Sequence, residues 1–314
     1  MKLQIYYSDL PDGLHALNDN EALLRIMARG RVQWMDEGWE ENLCQLFGIA
    51  RQQDLPLAAL ARIGLGAAVD SGYWLLASPV NLALQRDTFS LGQPAPLWLT
   101  PTEDESLRAS LNQHFAEDGL VFLSGAQGHW HVCLKTVPDL VTTSLARAAG
   151  RDITHYLPQG ADAQRWRQLL NEIQMLLFHH PVNQVREAQN KLPVNSIWLH
   201  GGGEVPTAGR ISVDSVYSGD VCVQGAATLS GMAAMPVQPL QHILGNKHET
   251  CLVQAAYGEL GCEWAAELWQ ALKLRQVSEV IIYFAWEGRM LTVSMTTNDT
   301  WKFWRRPKTI EAYI

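Results

Sequence analysis

From Val194 onward the chain alternates strand, loop and helix, and that order admits few folds. Residues 194–200 read as a strand running into Gly201-Gly202-Gly203, residues 220–229 as a helix, 250–255 as a buried strand and 264–274 as a helix. Residues 280–285 and 290–295 follow as two strands about the turn Trp286-Glu287-Gly288-Arg289. Strands separated by helices pair in parallel, because each crossover lays a helix over the sheet. A mostly parallel sheet covered on both faces is therefore expected.

The first 71 residues carry the same character, with a short strand at 3–7 and helical patterns at 21–31, 39–47 and 57–63. Gly64-Leu65-Gly66 and Ser71-Gly72 break that helical stretch. A different character begins with a strand at 73–77 and a loop marked by Pro94 and Pro96. Residues 105–115 have the apolar spacing Leu107, Leu111, Phe115 of an amphipathic helix. Residues 120–123 and 130–135 are apolar runs separated by Ser124-Gly125-Ala126-Gln127-Gly128, the pattern of a hairpin with a long turn. The clearest helix runs from Asp162, its expected N-cap, to His180, with Trp166, Leu169, Leu170, Ile173, Leu176 and Leu177 on one stripe. Pro181 turns the residue before it away from helix. The predicted organisation is an α/β core from residues 1–71 and 179–314 with an α+β insertion at 72–178.

Composition narrows the function class. Lys and Arg total 24 against 32 Asp and Glu, a net charge of −8, which argues against a mainly electrostatic grip on nucleic acid or anionic lipid. Neither nucleic acid nor membrane is an expected partner. No apolar stretch is long enough to cross a bilayer, and the start Met1-Lys2-Leu3-Gln4-Ile5 lacks the apolar core of a secretory signal, so a cytoplasmic location is expected. The five cysteines (Cys44, Cys133, Cys222, Cys251, Cys262) are odd in number and none is spaced CxxC, which speaks against a disulfide framework and a cysteine zinc site.

Several groups invite a chemical reading. Gly201-Gly202-Gly203 after a strand lets backbone N–H groups approach an anion, although the spacing is neither GxGxxG nor a P-loop and a plain tight loop uses the same residues. His129 and His131 point to one face if they lie on a strand, the geometry of a metal pair, but no third ligand is identifiable nearby and surface or interface histidines are the expected reading. His179 and His180 sit about 100° apart on a helix and do not share an ion. Glu259, Glu263 and Glu267 repeat every fourth residue, as on a solvated helix face. Trp301-Lys302-Phe303-Trp304-Arg305-Arg306 interleaves rings with cations, a pattern compatible with stacking on bases. With twelve tryptophans spread along the chain, a terminal strand anchored by two of them is the expected use. No GxSxG elbow and no HExxH is present.

The stretch His180-Pro181-Val182-Asn183-Gln184-Val185-Arg186, followed by Leu192-Pro193-Val194-Asn195-Ser196-Ile197-Trp198-Leu199-His200 and the three glycines, resembles a segment of the archaeal-type cofactor-independent phosphoglycerate mutases. It is closer still to the bacterial RpfE-type regulatory proteins, phosphoglycerate-mutase-like chains in which a Glu-Ile-Gln-Met-Leu-Leu helix precedes the His-Pro-Val-Asn element. Residues 172–177 supply that helix. The resemblance is strong over residues 157–203 and weaker elsewhere, where Gly231-Met232 matches the end of a mutase-like helix.

The resemblance implies an alkaline-phosphatase-like fold and, for the mutases, two divalent metals with a Ser or Thr nucleophile. Two cations clamp a transferring phosphoryl group through hard carboxylate and imidazole ligands. Where the family has Asp-Glu-Ala-Gly-His-Asp this chain has Gly258-Glu259-Leu260-Gly261-Cys262-Glu263, and where it has Asp-His-Ser-Thr this chain has Thr296-Thr297-Asn298-Asp299. The N-terminal Asp-Gly-x-Gly-Asp is replaced by a segment offering Ser8, Asp9 and Asp12 in another arrangement. The RpfE-type Ala-Asp-Pro-Val-His-Leu stands here as Ala77-Ser78-Pro79-Val80-Asn81-Leu82, with both chargeable positions neutral.

These substitutions imply no catalytic residues, no metal and no cofactor. The expected function is non-catalytic, regulatory or ligand-binding, with a phosphorylated small molecule or a protein as partner. His180 and Arg186 are the expected anion-facing groups, Asn183 and Asn195 the groups that pin the loop, and Gly201, Gly202 and Gly203 the backbone cradle. A structural role for the same residues, as cap and turn between helix and strand, remains open. So do an active phosphoglycerate mutase or phosphatase and a protein- or single-strand-nucleic-acid-interaction module.

Overall fold

The computed structural model describes residues 1–7, 13–69, 71–85, 88–92, 96–209, 211–246, 248–256, 258–261, 263–286 and 288–313. In chain order the first half forms β1 (Lys2–Tyr7), α1 (Glu21–Arg29), β2 (Arg31–Met35), α2 (Trp39–Leu46), α3 (Leu57–Gly64), β3 (Tyr73–Val80), β4 (Leu82–Gln85), β5 (Thr88–Leu91), α4 (Pro101–His114), β6 (Val121–Ser124) and β7 (Trp130–Leu134). The second half forms α5 (Leu145–Ala148), α6 (Ala163–Phe178), α7 (Pro181–Ala188), β8 (Ser196–Gly203), β9 (Ser215–Ser218), α8 (Val221–Leu229), α9 (Leu240–Gly245), β10 (Thr250–Ala255), α10 (Trp264–Lys273), β11 (Glu279–Trp286) and β12 (Arg289–Thr296). Two compact units result, one from residues 1–48 with 208–314 and the other from residues 49–207.

The first unit is α/β. Its sheet runs β2-β12-β11-β1-β10-β9, and the four strands β11, β1, β10 and β9 are parallel. The β11–β12 hairpin and β2 extend it in antiparallel fashion. Leu3, Ile5 and Tyr7 of β1 alternate onto one face, where they join Leu23, Ile26 and Met27 of α1 and Trp264, Leu268 and Leu272 of α10 in one buried core. On the opposite face the Tyr6 ring stacks on Trp39 at the start of α2, 3.6 Å between centroids. A sheet buried on both faces is what the strand–helix alternation dictates.

The second unit is α+β. Its sheet runs β6-β7-β3-β8 and is antiparallel throughout, with the β4–β5 hairpin beside it. Tyr73, Leu75 and Ala77 of β3, Trp130 and Val132 of β7 and Ile197 and Leu199 of β8 face Leu107, Leu111 and Phe115 on the α4 side and the apolar stripe of α6. Helix α3 covers the other face of β3 and β8. The compact units divide at 48/49 and 207/208, where α3 and β8 pack with β3; the sequence reading placed its boundaries at 71/72 and 178/179. Asp162 is the N-cap residue of α6 as expected, but its carboxylate accepts from the Asp139 N–H at 2.9 Å and not from the first turn of the helix.

Helix α4 begins four residues earlier than its apolar spacing indicates. Thr100 and Glu103 form a reciprocal capping box and Pro101 occupies the first turn. The C-terminal rings are not on a strand: Thr297–Trp301 is a 3-10 turn, and residues 302–309 are irregular before a second 3-10 turn at Ile310–Ala312. Glu259, Glu263 and Glu267 do not share a helix face, since Glu259 lies in a turn and Glu263 precedes α10.

Gly201, Gly202 and Gly203 are not a loop after the strand but the last three residues of β8, all buried. Cβ atoms on Gly201 and Gly203 would come within 2.9 Å of Leu57 Cβ and 2.6 Å of Pro56 Cβ, and one on Gly202 would meet the Tyr73 hydroxyl and, at 2.9 Å, Leu75 Cδ2. The strand is squeezed between α3 and its own sheet, and Gly201 also takes φ +65°. Gly202→Ala is expected to cost about 1–3 kcal/mol, read as a lower urea midpoint with an unchanged slope.

Candidate functional site

Strand β8 separates the residues that the sequence reading grouped together. Eight strand residues at roughly 3.3 Å each put its two ends some 25 Å apart, so His180, Asn183, Arg186 and Asn195 lie by its start and Gly201–Gly203 at its end.

At the start the polar groups are joinery. His180 is the N-cap of α7: its Nδ1 accepts from the Val182 N–H at 3.2 Å, so the proton sits on Nε2, 2.9 Å from Ser110 Oγ. Burial lowers its pKa, against a hydrogen bond with the Ser106 backbone. Asn183 donates to the carbonyls of Leu177 and Val194, both at 2.7 Å, and accepts from the Val194 N–H at 2.8 Å, tying the end of α6 to the approach to β8. Asn195 exchanges two hydrogen bonds with the backbone of Leu82, and Asn81 donates to Pro193 O. Arg186, 4% exposed, donates to Leu192 O and Trp98 O and pairs with Glu103 at 3.1 Å. Burial raises the Glu103 carboxyl, but hydrogen bonds from Thr100 and Arg186 outweigh it and hold the pKa low. The expected anion-facing side chains of His180 and Arg186 thus have internal partners.

At the other end the register assembles a cluster that spacing alone does not reveal. Leu76 of β3 lies opposite His131 of β7 on one side and His200 of β8 on the other, so both imidazoles share the α3 face of the sheet. Two residues along β3, Ser78 sits on the same face with its Oγ 2.6 Å from His129 Nδ1 and 3.1 Å from His200 Nε2. The rings of His129 and His200 are 5.5 Å apart at 65°. Nearby, buried Asp54 accepts from the Thr142 N–H and hydroxyl and from the Gly202 backbone.

Burial keeps these imidazoles neutral. It pushes His129 down to about 4, and His131 also down to about 4 with help from the charges of Arg62 and His129. His200 is lowered well below the usual value by burial and by the other two rings. Both ring nitrogens of His131 and Nδ1 of His200 have no hydrogen-bond partner among the described residues. The pair His129/His131 therefore does converge, but with His200 and Ser78; no described group of three His, Cys, Asp or Glu side chains has the geometry of a metal site.

Three outcomes are expected. Asn183→Ala strands the N–H and carbonyl of Val194, while Leu177 O keeps the His180 N–H, and should lower unfolding stability by about 2–4 kcal/mol in urea titrations. The unfolded histidines take up protons near pH 6.5 whereas folded His129 and His131 do so only near 4, so stability should be greatest above pH 6.5 and fall as pH drops from 6.5 to 4. His131→Leu removes a buried unpartnered ring, and should flatten that fall and raise stability at pH 5 by about 1–3 kcal/mol, measured by urea unfolding across pH.

No family model matches the chain. Among curated proteins it is similar to the probable 2,3-bisphosphoglycerate-independent phosphoglycerate mutase of Geobacter sulfurreducens, 25% identical over 177 residues that make up 54% of this chain and 44% of that protein. The 2,3-bisphosphoglycerate-independent phosphoglycerate mutase of Methanothrix thermoacetophila is 37% identical over 79 residues, 25% of this chain and 20% of that protein. The chain thus spans less than half the length of the curated relatives it matches. Among solved structures, the cofactor-independent phosphoglycerate mutase of Thermoplasma acidophilum has a TM-score of 0.43 at 14% identity over 94% of this chain and 89% of that one. The PH0037 protein of Pyrococcus horikoshii has a TM-score of 0.45 at 14% identity over 94% and 87%. Among the described residues no helix is long and apolar enough to cross a membrane.

Proposed function

We propose that this chain is a non-catalytic, ligand-binding or regulatory relative of the cofactor-independent phosphoglycerate mutases. One observation carries the reading: the acids that stand near the expected chelator positions are spent on their own backbone turns. A Glu259 oxygen accepts from the Ala256 N–H at 2.7 Å beside Gly258, which has no side chain. Asp299 accepts from both the N–H and the hydroxyl of Thr296 at 2.8 Å and pairs with Lys302, while Thr297 Oγ1 donates to Val277 O at 3.0 Å. A two-cation centre needs several hard anionic donors converging on ions about 4 Å apart, and the donors among the described residues do not fit one. Cys262, Ser8, Asp9 and Asp12 lie outside the described residues.

The ligand face in this reading is the cluster of Ser78, His129, His131 and His200, with Gly201–Gly203 behind it and His180, Asn183, Arg186 and Asn195 holding the strand in place. His129, the half-buried member, is the point of entry, and the ligand class is a phosphorylated small molecule. Purified protein is expected to give no conversion of 3-phosphoglycerate in an enolase-coupled assay with Mg²⁺ or Mn²⁺. A phosphorylated three-carbon acid should raise the melting temperature equally with and without EDTA, an effect lost in His129→Ala. Cation-dependent turnover would make the chain an enzyme and overturn the proposal.

A further inference from the structure

Away from the histidine cluster, the first unit gathers rings and cations where the chain leaves β12. Trp301, Phe303 and Trp304 are 71%, 75% and 66% exposed, and the Phe303 and Trp304 rings meet edge to face at 80°. The segment is fastened to the body by arginine: Arg29 donates to Thr300 O, and Arg305 donates to Gly30 O at 3.2 Å. Those two bonds bring the C-terminal rings beside a second row of cations. Arg25 and Arg29 lie one turn apart on α1 with their guanidinium groups over the Trp269 ring, at 5.6 and 4.9 Å, and Arg31 opens β2 directly after Gly30, exposed. Lys302 is paired with Asp299, whereas Arg306 and Lys308 extend the exposed row. A chain of net charge −8 thus concentrates cations around three bared aromatic faces.

We propose that this face binds single-stranded nucleic acid, with Trp301, Phe303 and Trp304 stacking on bases and Arg25, Arg31, Arg306 and Lys308 meeting phosphates. Stacking requires accessible π faces with a cation near each, the repeat that a base and its phosphate present. The perpendicular Phe303 and Trp304 rings sit on irregular backbone and do not form the single apolar plane by which a helix lies in a lipid surface. An acidic peptide would engage the cations and leave the ring faces unused. The net negative charge of the chain does not oppose this, because counterion release depends on the charges at the contact.

The test is fluorescence anisotropy of the full chain with a labelled oligothymidylate of about 15 nucleotides, a length that spans a patch of this kind. Binding is expected at low salt, with log K falling against log[salt] at a slope of about −2 to −3 for three to four phosphates. The double variant W301A/W304A should weaken it at least tenfold while leaving the melting temperature unchanged, since both rings are exposed. Arg306→Glu should weaken it and steepen no other property. An absence of binding at low salt, or binding that W301A/W304A leaves intact, overturns the proposal. So does a preference for vesicles containing phosphatidylserine over the oligonucleotide, or ring-dependent dimerisation in light scattering in place of oligonucleotide binding.

Discussion

Strand β8 has no face toward water: all eight of its residues are buried, with α3 on one side and the α4–α6 core on the other. A strand so placed must satisfy its neighbours atom by atom, and its sequence shows how. Small residues at Gly201–Gly203 let Pro56, Leu57 and Tyr73 close over it, while Asn183 and Asn195 replace missing backbone partners at its entrance with amide groups. The same rigidity aligns His200 with Ser78, with His129 and with His131 of β7. A loosened β8 would cost stability and scatter the polar cluster together.

Much of this architecture was legible in the residues. The stripe of α6, the β11–β12 hairpin and the strand–helix alternation of the C-terminal part all follow from periodicities that burial imposes. Three features were not. The glycines looked like a strand's end, because glycine generally interrupts strands; only the closeness of α3 explains why they continue one. Helix α7 was missed although Pro181 at its first turn is a start signal as much as a stop for the residue before it. The cluster itself joins Ser78 to His200, 122 residues away, and depends on sheet register that no local pattern encodes.

The C-terminal rings teach the opposite lesson. Tryptophan-rich segments usually serve cores, and the whole-chain charge balance disfavours anionic partners, yet the 3-10 turn after β12 leaves the rings outside. Averages over a chain describe solubility well and local surfaces poorly.

The margins of the six-stranded sheet carry a further consequence. On one side β9 is only four residues long, and the backbone of Met235 lies against it, accepting from Ser218 N–H and donating to Val216 O. On the other, β2 is five residues long and begins with an exposed arginine. Neither border offers a long, bare row of amide groups to template a foreign strand, so polymerisation by backbone zippering finds little foothold there. Whatever company this unit keeps, it meets through side chains.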